Sequence, residues 1–213
     1  MAKNKKKNYQ VLRAQVEKEQ KYASDVKKLR LFPILALAMA VIVLFLFFTD
    51  WAFVHNTDVG TEVSVSGFNC LVSGTSGNYS GTEKAIGDMA MPFYYYAKAE
   101  SVSLAGLTVA AFFVLLATIV AYSLAAIRNQ EGFNIAGLVL SFALMVLLFS
   151  CYSTALSMKH AKILSDYCGG NVKCSIRSEA ILPALLTLFS LALPVAEIIR
   201  RALLKKDFGA EKK

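Results

Sequence analysis

Four apolar stretches, 31–48, 104–127, 133–156 and 181–199, constrain the fold of this chain more than any other feature. A bilayer core about 30 Å thick is crossed by about 20 residues of helix. Within the four stretches the only charged side chain is Glu197. In lipid the backbone must satisfy its own hydrogen bonds, so each stretch is expected as a helix. The expected fold class is an all-α membrane protein, an antiparallel four-helix transmembrane bundle with a small extracytoplasmic β-sheet cap. A long polar segment precedes the first stretch, and Thr49-Asp50-Trp51 after it offers no small-residue cleavage site, so it is expected to be a retained span rather than a signal peptide.

Orientation follows from Lys and Arg near the helix ends. Residues 1–30 hold ten of the 23, the 200–213 tail six, and the link between the second and third spans only Arg128. The 49–103 loop has Lys84 and Lys98, and the 157–180 loop has Lys159, Lys162, Lys173 and Arg177. Seventeen therefore lie on one side and six on the other. The richer side is expected to be cytoplasmic and to hold both termini, in a multi-pass protein of the cell membrane. The net charge of +8 is thus a topology signal, and no nucleic-acid partner is expected. The expected organisation is a basic cytoplasmic segment (1–30), a four-helix domain (31–203) with outer loops 49–103 and 157–180, and a cytoplasmic tail (204–213).

In the N-terminal segment, Val11, Leu12, Val16, Tyr22, Val26 and Leu29 form a weak apolar stripe among Lys and Glu. It reads as a helix along the inner surface that meets anionic lipid, where each Lys or Arg contributes about 1 kcal/mol, or as a solvated basic leader that only sets topology; a partner-binding helix is a third reading. In the first outer loop, Thr61 to Ser66 alternates, and a second short strand is expected after Gly67, through Phe68, Cys70 and Val72. The run 91–96, Met-Pro-Phe-Tyr-Tyr-Tyr, suits the headgroup layer. Pro194 inside the fourth span predicts a kink.

Residues fit for catalysis are scarce. His55 and His160 lie outside the spans, and no metal-ligand or phosphate-loop spacing occurs. No catalytic group, cofactor or metal is expected. Glu197 has Arg200 and Arg201 three and four residues later on the same helix face, which predicts an interfacial ion pair. Cys168 and Cys174 flank Gly169-Gly170-Asn171, a stretch able to turn the chain back, and are expected to be bridged outside the membrane, with Cys70 and Cys151 free; the rival pairing is from Cys70 to one of them, tying the two outer loops together. A loop that short gains about 2 kcal/mol from closure. Asn78-Tyr79-Ser80 matches a glycosylation sequon.

Thr49-Asp50-Trp51 after the first span, followed by Val65-Ser66-Gly67-Phe68-Asn69-Cys70, resembles the claudin superfamily, which includes peripheral-myelin and receptor-auxiliary branches. The resemblance implies four helices, cytoplasmic ends, and a large first outer loop of short strands. The chain departs from the family's G-L-W-x-x-C pattern: the second tryptophan and second loop cysteine are absent, so the family's own disulfide is missing. With no catalytic group visible and about 80 residues spent on the two outer loops, a non-enzymatic accessory or scaffold subunit is expected, binding other membrane proteins or copies of itself, with Trp51, Val63, Val65, Gly67 and Phe68 as its structural cap. A small channel or transporter component is the alternative, lined by Thr108, Thr118, Tyr122, Ser123, Ser141, Ser150 and Ser153. A membrane thiol-disulfide oxidoreductase fits less well, because the Cys168 and Cys174 pair is widely spaced.

Topology is directly testable. With the native cysteines replaced by Ser, Asn4→Cys and Glu211→Cys should resist an impermeant thiol reagent in intact cells, whereas Ser76→Cys should label. Labelling at either terminus overturns the orientation.

Overall fold

A computed structural model describes residues 2–56, 61–68, 79–80, 104–158 and 172–210. The chain is mostly helical. The helices are α1 (Ala2–Lys28), α2 (Leu31–Leu46), α3 (Leu104–Arg128), α4 (Glu131–Met158), α5 (Leu182–Ser190) and α6 (Ala192–Ala210). Four helical stretches are long and apolar enough to cross a membrane: Arg13–Leu46, Gly106–Arg128, Glu131–Thr154 and Ser178–Phe208. Cys70, Asn78, Cys168 and the aromatic run 91–96 lie outside the described residues.

Each span packs on its sequence neighbours, and α5 and α6 close the ring against α2. The buried positions recur in steps of three and four. On α2 they are Pro33, Ala36, Ala40 and Val43, continuing to Phe47. On α3 they include Thr108, Ala111, Leu115, Thr118, Tyr122 and Ala125. On α4 they are Asn134, Gly137, Ser141, Leu144, Leu148 and Cys151. This is the seam spacing of coiled-coil packing. Small and polar residues fill much of it, while Phe45, Phe113, Val139 and Phe189 point outward, each more than half exposed. A helix that hides small polar residues and exposes large apolar ones is built for lipid.

The fourth span breaks where Pro194 predicts. Pro194 has no N–H to give the Ser190 carbonyl, and the helix is interrupted at Leu191. The buried steps from Ala184 to Thr187 to Ser190 are both three, so the seam slips register there.

The N-terminal helix is almost continuous with α2. Leu29 and Arg30 carry the chain across by donating to Val26 and Lys27, both at 3.2 Å. Tyr22 sets its ring edge-on to Phe208, 5.0 Å between centroids, so the later part of α1 packs on α6.

The strands β1 (Asp50–Asn56), β2 (Thr61–Ser66), β3 (Tyr79–Ser80) and β4 (Val172–Ile176) form one sheet of order β3-β2-β1-β4, every pair antiparallel. Here the expectation needs correcting. The 61–66 strand exists, but it pairs with β1 before it; Gly67 and Phe68 form a helical turn, while Cys70 and Val72 of the expected second strand lie outside the described residues. Strand β1 escaped notice because Trp51, Ala52, Phe53 and Val54 are all apolar and carry no alternation. Strand β4 comes from the second long loop, so main-chain bonds join the two loops.

Gly137 marks the closest helix approach. A Cβ there would run into the Tyr122 ring, whose hydroxyl meets Ser141 Oγ at 2.8 Å. Gly137→Val should cost about 1–3 kcal/mol by overpacking, whereas Tyr122→Phe should cost about 0.6 kcal/mol, the usual worth of an interhelical hydrogen bond in a bilayer. Thermal unfolding in detergent ranks the two, and the reverse order would contradict the close approach.

Candidate functional site

Side chains converge at two places, one at each end of α2. The first is organised by Arg201 on α6. Its Nε and Nη2 donate to Glu197 Oε1 at 3.1 and 2.6 Å. Its Nη1 donates to the Asn129 carbonyl at 3.4 Å and its Nη2 to Asn129 Oδ1 at 3.0 Å. Asn129 in turn donates Nδ2 to the Val26 carbonyl of α1 at 3.2 Å. One guanidinium therefore ties α1, the α3–α4 turn and α6.

The turn is local in origin. Asn129 has φ 53 and bonds its N–H to Ala125 O at 2.8 Å, ending α3 in the left-handed conformation that Asn tolerates. Only Asn129 and Gln130 separate α3 from α4. A second tie, Lys205 to Glu131 at 2.5 Å, is partly exposed and contributes little to stability.

Glu197 and Arg201 are buried, with side chains 2% and 10% exposed. Taking both charges out of water offsets most of their attraction, so the pair fixes geometry more than it adds stability. Sequence spacing put Arg200 and Arg201 equally within reach of Glu197, and the structure separates them. Arg201 holds the carboxylate, while the Arg200 guanidinium lies over the Phe32 ring, 5.8 Å from its centroid. Asn134, fully buried on α4, donates Nδ2 to the Pro194 carbonyl at 3.2 Å. Asn134 Oδ1 and Glu197 Oε2 are both buried without a hydrogen-bond partner among the described residues. Asn129 and Asn134 escaped the sequence reading. The signal was there: one Asn sits at the shortest link, the other at the edge of an apolar span.

The second place is the junction of α2 with the sheet. Trp51 sits at a register shift between Asp50 and Ala52, the mark of a bulge that re-aims one side chain. Its indole Nε1 donates to Leu46 O at 2.9 Å, and its ring lies 5.2 Å from that of Phe47. A Cβ on Gly67 would collide with the indole, so glycine permits this approach. Phe68 stacks on Phe48 at 4.9 Å, and its N–H reaches Phe47 O at 2.7 Å. Arg177 N–H bonds Trp51 O at 2.9 Å, bringing in the second loop. Val63 and Val65 pair with Val54 and Ala52 across the ladder. Trp51, Gly67 and Phe68 thus meet at α2, with Val63 and Val65 in the adjoining strand.

Cys174 pairs with Val54 in β4, Cys151 is a buried free thiol, and the expected Cys168–Cys174 bridge lies outside the described residues. Among the described residues no three His, Cys, Asp or Glu side chains converge as metal ligands. Tyr122 bonds Ser141 across two helices, while Thr118 bonds Val114 O and Ser150 bonds Val146 O within their own helices. No family model, curated protein or solved structure matches the chain.

The Arg201 tie makes a quantitative prediction. Arg201→Met leaves Glu197 buried without its partner and should destabilise by about 3–5 kcal/mol. Adding Glu197→Gln should restore much of that, as read by thermal unfolding. Equal, additive losses would mean the two side chains act independently.

Proposed function

We propose that this chain is a non-enzymatic accessory or scaffold subunit of the cell membrane, binding another membrane protein or copies of itself. The observation that carries this reading is the sheet: two long loops are woven into one surface and bolted to α2 through Trp51, Gly67 and Phe68. An ordered surface of this kind is suited to docking. Strands β3 and β4 are its edges among the described residues, and an edge strand can accept a partner's strand.

The Lys and Arg asymmetry supports an antiparallel bundle with cytoplasmic termini and the sheet outside. Contacts between α3 and α4 support the same arrangement, since they climb one helix as they descend the other: Tyr122 meets Ser141, and Thr108 meets Cys151. The layout is that of a claudin-like protein without the family's loop disulfide. The Arg201 end, with Arg13, Lys18 and Lys21 on the exposed helix leading to it, faces the anionic inner leaflet.

A channel or transporter component is the second reading. Asn134 Oδ1 and Glu197 Oε2, buried acceptors without a partner among the described residues, favour it, as does the broken fourth span, because discontinuous helices often mark ion sites.

Gentle detergent extraction followed by mass determination tests the scaffold. A co-purifying protein or defined oligomer is expected, and Trp51→Ala or Phe68→Ala should weaken it. A strictly monomeric protein that carries solute or oxidises thiols when purified overturns the reading.

A further inference from the structure

A groove of about 370 Å³ opens between the end of α1, the start of α2 and the last turns of α6. Its place is set by the sequence: Leu31 begins one apolar stretch and Ile199 ends another, so the groove straddles the border between apolar span and charged helix. In a bilayer that border is the headgroup layer. Four charged side chains line it, Asp25, Lys28, Arg200 and Asp207, above an apolar floor that includes Phe32 and Leu203.

The charges are not equivalent. Lys28 is paired with Asp25 at 2.9 Å. Arg200 has no carboxylate partner among the described residues; its guanidinium lies over the Phe32 ring, 5.8 Å from the centroid. Asp207 likewise has no hydrogen-bond or ion-pair partner among the described residues. Its position, two helical turns beyond Arg200, is about 10 Å along the axis. The groove therefore offers one available cation and one available anion over an apolar floor.

We propose that this groove binds a single glycerophospholipid whose headgroup carries both a phosphate and a primary ammonium. The Arg200 guanidinium takes the phosphate, a planar donor fork meeting phosphate oxygens. The Asp207 carboxylate takes the ammonium, the headgroup lies over Leu203 between the two charges, and the acyl chains leave past the edge of Phe32 toward the apolar span. A purely anionic headgroup would leave Asp207 facing negative charge. A quaternary ammonium cannot donate a hydrogen bond to a carboxylate and prefers an aromatic face, and here Arg200 already covers Phe32. The site goes beyond the scaffold reading and stands whether or not a partner protein is found.

Native mass spectrometry of the full chain tests it, with ethanolamine, glycerol and choline phospholipids of matched acyl chains supplied at equal concentration. One ethanolamine lipid should be retained in preference to the other two. Arg200→Gln should weaken retention roughly tenfold, the loss of a charge-assisted hydrogen bond. Asp207→Asn should abolish the preference for ethanolamine over glycerol while leaving a lipid bound. Equal or stronger retention of the glycerol lipid by the unaltered chain means a diffuse basic surface, and overturns the proposal. So does retention of the choline lipid at the same level. Headgroup preference is read on the unaltered protein, so the test stands even where a variant fails to fold.

Discussion

Between helices in a bilayer the hydrophobic effect has nothing to act on, because the surrounding acyl chains are as apolar as leucine. Association then depends on how closely backbones approach and on which polar groups find each other. The whole bundle follows from that constraint. Ala36 and Ala40 on α2 and Gly137 on α4 reduce the bulk at the seam. Tyr122 and Ser141 hydrogen-bond across α3 and α4. Dispersion contacts between well-fitted side chains supply the rest. The large outward-facing residues contribute to membrane residence instead.

At the Arg201 end the same medium imposes a different rule. A guanidinium cannot be left alone there, so its bonds to Glu197 Oε1 and to Asn129 stabilise an arrangement in which three chain segments must be correctly placed at once. Such a network contributes little to net stability compared with an apolar alternative, and its value lies in register. Near the sheet, register is held by shape: an indole laid where a Cβ would be, a ring stacked on a ring.

The spans were legible because length and absence of charge are properties of a contiguous stretch. The seam was harder to read, since nearly every residue in a span is apolar and hydrophobic periodicity fades. What remains is periodicity of small and polar side chains, of which Thr108, Thr118, Tyr122 and Ser141 gave a partial view. The Glu197 neighbourhood was visible as a set. Choosing between Arg200 and Arg201 needed the helix's rotation against the α3–α4 turn, which depends on nonlocal packing. The pairing of β2 with β1 was missed for a related reason. Alternation identifies a strand with one buried face, and the apolar run in β1 has no such signature. Nothing local announces that residues 172–176 complete a sheet begun at residue 50.

That last pairing has a consequence for how the protein is made. Strand β1 leaves the ribosome early, but its neighbour β4 follows only after α3 and α4 have been synthesised. Until then one edge of β1 lacks that neighbour, and closing so distant a contact is slow. Completion of the sheet is therefore coupled to arrival of the later chain, and a polypeptide stalled before the fourth span would expose a strand edge to any quality-control factor that recognises one.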